Sequence, residues 1–267
     1  MTALKVWVQG IGLLGPGLGS WATAQDVMRG VQAHANEPTV LPPPARLPPA
    51  ERRRAGAAVK LALAVADAAV AQAQIDPSQL ATVFTSSSGE GVNCHALCET
   101  LATPAPMVSP IRFTNSVHNA PAGCWHIAVA SRASSTSLCA FDGSFGAGLL
   151  EAATSVRQSG QPVLLVASDS PYPEPLHAKR PLPDHFGAAL LLMPEPTPQS
   201  LAEFTISLDA SASGVANTCD DPSLEALRHA IPAARGLPLL SALARTRAKQ
   251  RIVLVYLPHL RVQIDLA

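Results

Sequence analysis

Between Glu51 and Gln74 the chain reads as one alanine-rich helix with apolar residues on nearly every side, closed by Asp76-Pro77. A surface helix keeps a polar face toward water, so a helix that is apolar all round is enclosed by protein. Strands supply the enclosure. Pro162–Ser168 (PVLLVAS) is a continuous hydrophobic run of strand length, the pattern of a strand covered on both faces, and Phe186–Met193 repeats it. Further strands are expected at Leu4–Gln9, Leu80–Thr85, Thr136–Phe141, Phe204–Leu208, Ile252–Leu257 and Leu260–Leu266. Helices are expected over Ser20–Gly30, up to about Leu101, over Ala120–Ala130 and over Gly143–Gln158. Strands alternating with helices predict a layered α/β domain with a central helix and a mainly parallel sheet covered on both faces.

Charge sharpens this picture. Charged residues make up 14% of 267 residues, the formal net charge is zero, and 48% of the chain is hydrophobic. An ordinary soluble domain carries about 25% charged residues. The deficit means a large buried fraction or a surface that a partner covers. Nucleic-acid binding is excluded for want of a basic stripe, since phosphate contacts dominate that affinity. The densest basic run, Arg52-Arg53-Arg54, reads as a solvated helix start. The most apolar helical stretch, Val59–Ala73, is interrupted by Lys60, Asp67 and Gln72 and so is not a transmembrane span. The N-terminal residues lack a secretory pattern. Five cysteines at irregular spacing do not suggest a disulfide scaffold, so a cytoplasmic protein is expected.

Three local patterns invite a chemical reading. Gly10-Ile11-Gly12-Leu13-Leu14-Gly15 matches a dinucleotide-binding spacing. That mechanism needs a helix opening at once and an acidic residue ending a second strand. Here Pro16, Gly17 and Gly19 delay the helix and six prolines between Glu37 and Pro49 replace the strand, so a glycine-rich turn is expected and no cofactor. Cys94 and Cys98 share a helix face but lack a second ligand pair at zinc spacing, which favours buried free thiols over a metal site. Phe141-Asp142-Gly143-Ser144 joins a strand to an apolar helix through a tight turn, where helix amides stabilise anions. Asp142 reads as a helix cap or, with Ser144 as a candidate nucleophile, as part of a catalytic turn. Asn115-Ser116-Val117-His118-Asn119, followed by Trp125 and His126, is polar for so apolar a chain and reads as a buried network, a pocket wall or a capped helix start.

These residues together carry a resemblance. Val8-Gln9-Gly10-Ile11-Gly12 with Trp21 and Gly30 is similar to the opening of β-ketoacyl synthases of the thiolase fold. Ser109-Pro110, Phe113–Ala120, Gly123, Trp125, Ser134–Leu138, Ser144-Phe145, Gly148–Ala152 and Pro162–Val166 resemble a shortened, chain-length-factor-like branch of that superfamily. That branch accompanies the synthases of aryl polyene and xanthomonadin-type pigments. The resemblance runs to about Met193 and is weak beyond it. It implies a thiolase-like layered fold, mainly the N-terminal ketosynthase half with a mixed sheet. Residues 1–267 would form a single domain, with 194–267 a divergent C-terminal α/β cap.

The departures from the family pattern bear on activity. Laying Leu138–Ser144 on the family's cysteine segment puts Asp142 at the nucleophile position, with Cys139 three residues earlier. Active members also carry two histidines in glycine-rich C-terminal motifs; His177, His185, His229 and His259 have no such neighbours. The resemblance therefore implies a non-catalytic subunit that pairs with an active β-ketoacyl synthase, shapes its acyl tunnel and meets acyl carrier protein through the complex. Thr136–Phe141, including Ser137, Cys139 and Phe141, would be the pairing strand. Arg112, Phe113, Asn115, His118, Asn119 and Trp125 would line or buttress the partner's acyl pocket. Two alternatives stand beside it: an enzyme using Cys139 or Ser144 as an acyltransferase or hydrolase, and a subunit that only covers hydrophobic surface.

Overall fold

The computed structural model describes residues 3–210, 215–245 and 249–267. The chain opens with β1 (Leu4–Leu14), α1 (Trp21–Met28), α2 (Pro49–Arg54), α3 (Ala57–Ala73) and β2 (Ala81–Thr85). Then come α4 (Gly91–Leu101), α5 (Pro110–Asn115), α6 (Ala120–Ala128), β3 (Ser135–Leu138) and α7 (Ser144–Ser159). The order continues through β4 (Val163–Asp169), α8 (Leu176–Lys179), β5 (Phe186–Met193) and β6 (Ala202–Asp209). It ends with α9 (Pro222–Ala230), α10 (Leu237–Arg245), β7 (Gln250–Leu257) and β8 (Leu260–Leu266).

Among the described residues, eight strands join one sheet in the order β3-β2-β4-β5-β1-β6-β8-β7. Only β3–β2 and β2–β4 are parallel pairs; the others are antiparallel. The expectation of a mainly parallel sheet is therefore wrong. A continuous apolar run reports burial on both faces, not strand direction. The connection from β4 to β5 carries only the four-residue α8 and no helix that packs across the sheet, and the chain returns antiparallel.

Alternation along β4 and β5 divides the core in two. Val163, Leu165, Ala167, Ala188 and Leu190 face α1, α7, α9 and α10. Leu164, Val166, Ala189 and Leu191 face α3 and α6. Fully covered strands thus need no polar face. The strands β6, β8 and β7 differ: alternate residues such as Glu203, Thr205, Gln263 and Asp265 are not buried, so this end of the sheet is packed on one face only.

Two expectations about α3 change. The helix starts at Ala57 because the chain breaks at Ala55-Gly56, leaving Arg52–Arg54 at the end of the separate α2. It is a layer on the sheet and not a central helix, with Ala68, Ala71 and Gln72 exposed. Alanine makes a helix look apolar all round without forcing it to be enclosed. Its seat explains the glycines of β1. A Cβ on Gly10 would lie 2.1 Å from the Ala69 carbonyl oxygen, and one on Gly12 only 1.9 Å from that of Val65. The expected glycine turn is instead a strand that runs to Leu14, with missing side chains on alternate residues so that a helix backbone can rest on it.

Candidate functional site

The turn between β3 and α7 lies at the carboxyl end of the parallel strands, where open α/β sheets leave a crevice for ligands. β3 is an edge strand paired only with β2, and it ends at Leu138, three residues short of the expected Phe141. The shortfall has a local cause. Ser144 Oγ accepts a hydrogen bond from the Ala140 N–H (3.0 Å) and donates to the Phe141 carbonyl (2.7 Å) or that of Ser86 (3.1 Å). This pulls the chain out of the strand and into the turn Phe141–Gly143. Phe141 takes φ = 50°, and Gly143 presses on β7, where a Cβ would sit 2.3 Å from the Tyr256 carbonyl oxygen.

The side chains of the turn are engaged. Asp142 accepts from Arg180 at 2.7 Å and from Arg235 at 3.2 Å. The Arg180 guanidinium also lies 3.5 Å from the centroid of the Phe141 ring. Ser144 is 1% exposed and its hydroxyl is occupied as described, so it is a turn-building residue and not an available nucleophile. The Gly143 N–H is bound to the Ala140 carbonyl.

Cys139 Sγ lies 2.7 Å from His118 Nε2. Burial, and secondarily the charge of Asp169, pushes the Cys139 thiol up, while burial pushes the His118 imidazole down. Both shifts favour a neutral thiol–imidazole pair. A nucleophilic cysteine needs the thiolate. Of the expected histidines, His229 and His259 are exposed, and among the described residues only His118 bonds to a side chain of this turn.

Beneath the turn, Asp169 is buried and accepts from the Ser87 N–H (2.7 Å) and the Ala233 N–H (2.8 Å). Burial raises its carboxyl from 3.8 to about 6, against the opposing pull of those hydrogen bonds and of Arg180. A carboxyl whose folded-state pKa is raised contributes stability that is full below its unfolded pKa and is lost as pH rises through about 6. A rise of that size corresponds to about 3 kcal/mol. Burial lowers His118, His126 and His185, whose contribution grows with pH over the same range, so the expected result is a difference: between pH 4 and 7 the urea midpoint of the wild type falls relative to that of Asp169→Asn. Midpoints that run parallel in the two proteins would show that Asp169 makes no such contribution.

The other expected site residues separate by exposure. Arg112, Phe113 and Asn119 are exposed, and Asn115 and His118 are half-buried. Trp125 is 0% exposed and packs in the core against α3, so it can only buttress a surface. Asn119 and Ser137 meet across a groove of about 380 Å³ between α6 and β3. Beside it, α4 and α5 bury none of their residues. Val92, Leu101, Ile111 and Phe113 are among the large apolar side chains left exposed there. Cys94 and Cys98 are also exposed, against the expectation of buried thiols. Sequence reasoning missed Arg180 and Arg235; the only signal was a charged residue in a proline-rich connection of a chain poor in charge.

Comparison with known proteins places this geometry. The family model described as the N-terminal domain of β-ketoacyl synthases matches residues 20–250. The match extends well beyond Met193. No curated protein sequence matches the chain. Among solved structures it is similar to a ketosynthase in complex with its chain length factor from Xenorhabdus doucetiae. The identity is 24% and the TM-score 0.71, over 98% of this chain and 99% of that one. It is also similar to the ishigamide ketosynthase/chain length factor, at 14% identity and TM-score 0.74, over 98% of this chain and 99% of that one. A type II polyketide synthase acyl-carrier protein in complex with its ketosynthase matches at 12% identity and TM-score 0.72, over 100% of this chain and 99% of that one. At such identities these likenesses carry the fold, a ketosynthase and chain-length-factor type of α/β architecture.

Proposed function

The chain belongs to the β-ketoacyl synthase family, matching its N-terminal domain, and on that premise we propose that it is a non-catalytic, chain-length-factor-like subunit. It pairs with an active β-ketoacyl synthase, stabilises it and shapes its acyl tunnel during fatty-acid-like, aryl polyene chain elongation on acyl carrier protein in the cytoplasm. Residues 194–267 act as a cap of the same domain.

The turn before α7 carries this reading. Whichever of Phe141, Asp142 or Gly143 stands where the family's cysteine would, none offers a thiol. A carboxylate there is a far weaker acyl acceptor and would repel the oxyanion of a reacting thioester. The open edge of β3 and the unburied helices α4 and α5 support a partner on that side. A strand edge and apolar helix faces left in water are liabilities unless something covers them. Arg112, Phe113, Asn115, His118 and Asn119 would then stand at the partner's acyl pocket, with Trp125 behind them. The X. doucetiae structure contains such a pair, a ketosynthase with its chain length factor.

One observation favours a second reading. The contact between Cys139 and His118 is the arrangement an acyltransferase would use, with the imidazole as base. Mass spectrometry after treating the complex with a ketosynthase-directed electrophile separates the two. Labelling is expected on the partner's cysteine only. A stoichiometric adduct on Cys139 would replace the non-catalytic reading with the acyltransferase one.

A further inference from the structure

The two edges of β1 are covered unequally. Against β5 the strand is paired as far as Leu14, but β6 accompanies it only from Leu4 to Val8. Past Val8 the sheet has a notch, and a groove of about 630 Å³ occupies it, lined by residues of α1, α10 and the last turn of α3. That is the size of a small-molecule site. The notch is a poor template for an added strand, because the Ile11 N–H beside it already donates to Gln72 Oε1 at 2.8 Å. The strands β2, β4 and β5 lie between this groove and β3, so it is separate from the proposed pairing edge and does not depend on it.

Two arginines are fixed where α1 and α10 end side by side. The carbonyls of a helix's last turn lack partners within the helix. Arg29 Nε donates to the Ala244 carbonyl and Arg245 Nε to that of Met28, each at 2.5 Å, so each helix end is capped from the other. Their remaining donors differ. Arg245 is paired with Asp220, and Glu203, the acidic side chain of the lining, is paired with Lys5 at 2.8 Å. Arg29 forms no ion pair among the described residues, and of its guanidinium only Nε is hydrogen-bonded among them.

The groove thus presents a guanidinium edge that is restrained through Nε and answered by no acid, a match for a carboxylate. Trp7 and Trp21 supply indole rings, with the amides of Gln25 and Gln72 in the same lining. A planar ring can lie on an indole and turn its edge toward the amides. A flexible acyl chain would lose more rotamer freedom there and gain no stacking. We propose that this groove binds a planar aromatic monocarboxylate, its rings on the tryptophans and its carboxylate on the Nη groups of Arg29.

Equilibrium dialysis of the full chain against pyrenebutyrate, and against the uncharged pyrenebutanol, tests this. The carboxylate is expected to bind one-to-one and about tenfold tighter than the alcohol, the worth of a hydrogen bond to a charged group. Arg29→Gln is expected to remove that preference while leaving the alcohol's affinity unchanged. Arg53→Gln, at an exposed position of α2, is expected to keep it. Trp7→Leu should weaken both ligands. Gln25→Trp, which fills the groove from α1, should exclude both and keeps the test decisive if Trp7→Leu does not fold. Absence of binding would overturn the proposal, as would equal affinity for the two ligands or a preference that survives Arg29→Gln. Binding that survives Gln25→Trp would also overturn it, by placing the ligand on another apolar surface.

Discussion

Replacing both Ile111 and Phe113 with aspartate is expected to abolish association with an active ketosynthase while leaving the chain folded. Both side chains stand in water on α5, at 44% and 63% exposure, so their loss removes little from the core. Exposed substitutions of this kind usually change stability by less than about 0.5 kcal/mol. At an interface the balance reverses. A buried aromatic or aliphatic anchor commonly contributes about 2 kcal/mol, and two of them about 4, which corresponds to a Kd weaker by about a thousandfold. Two carboxylates facing an apolar partner surface add a desolvation cost of the same sign. The matched control is Val31→Asp with Val40→Asp, two exposed valines outside this face, which is expected to pair normally. Analytical ultracentrifugation of each variant with the ketosynthase checks both. Normal pairing by the Ile111/Phe113 variant would move the interface elsewhere.

Gly12→Ala is expected to have the largest effect on the fold itself. The added Cβ would lie 1.9 Å from the carbonyl oxygen of Val65 and 2.8 Å from its carbonyl carbon, both backbone atoms of α3. No side-chain rotation relieves such a contact; the helix must leave the strand. Ten of its seventeen residues are buried, many against β1 and β5, so that movement opens the core on one face of the sheet. Overpacking of side chains costs about 1–3 kcal/mol, and a backbone clash exceeds that range, so about 4 kcal/mol is expected. For a domain of this size that lowers the melting temperature by about 10 °C. Gly19→Ala is the contrast, since nothing lies within 4 Å of its Cβ position. Calorimetry on the two variants decides the matter: equal melting temperatures would mean that β1 and α3 do not rest on one another as described.

How far the sequence could be read depends on the range of the interaction behind each feature. The strands β4 and β5 and the helix α7 were legible because burial writes itself into a continuous or periodic apolar pattern. The turn at Phe141–Gly143 was legible because a strand-like run meets a helix through glycine. Strand direction was not, since an apolar strand looks the same whichever way its neighbours run. The glycines of β1 were misread as a turn because their reason, the backbone of α3, lies some sixty residues away. The clamp on Asp142 was invisible for the same reason: its partners are 38 and 93 residues distant in the chain. The pair Cys94 and Cys98 is exposed where buried thiols are expected, because an apolar neighbourhood does not bury a thiol on a helix that buries none of its own residues.

That this chain works only as half of a pair is tested most directly by co-expression with an active β-ketoacyl synthase, affinity purification through a tag on one chain, and determination of stoichiometry and elongation activity. A one-to-one complex is expected, active only when both chains are present, with this chain alone inert toward acyl thioesters. Failure to co-purify, or elongation by this chain alone, would contradict the account.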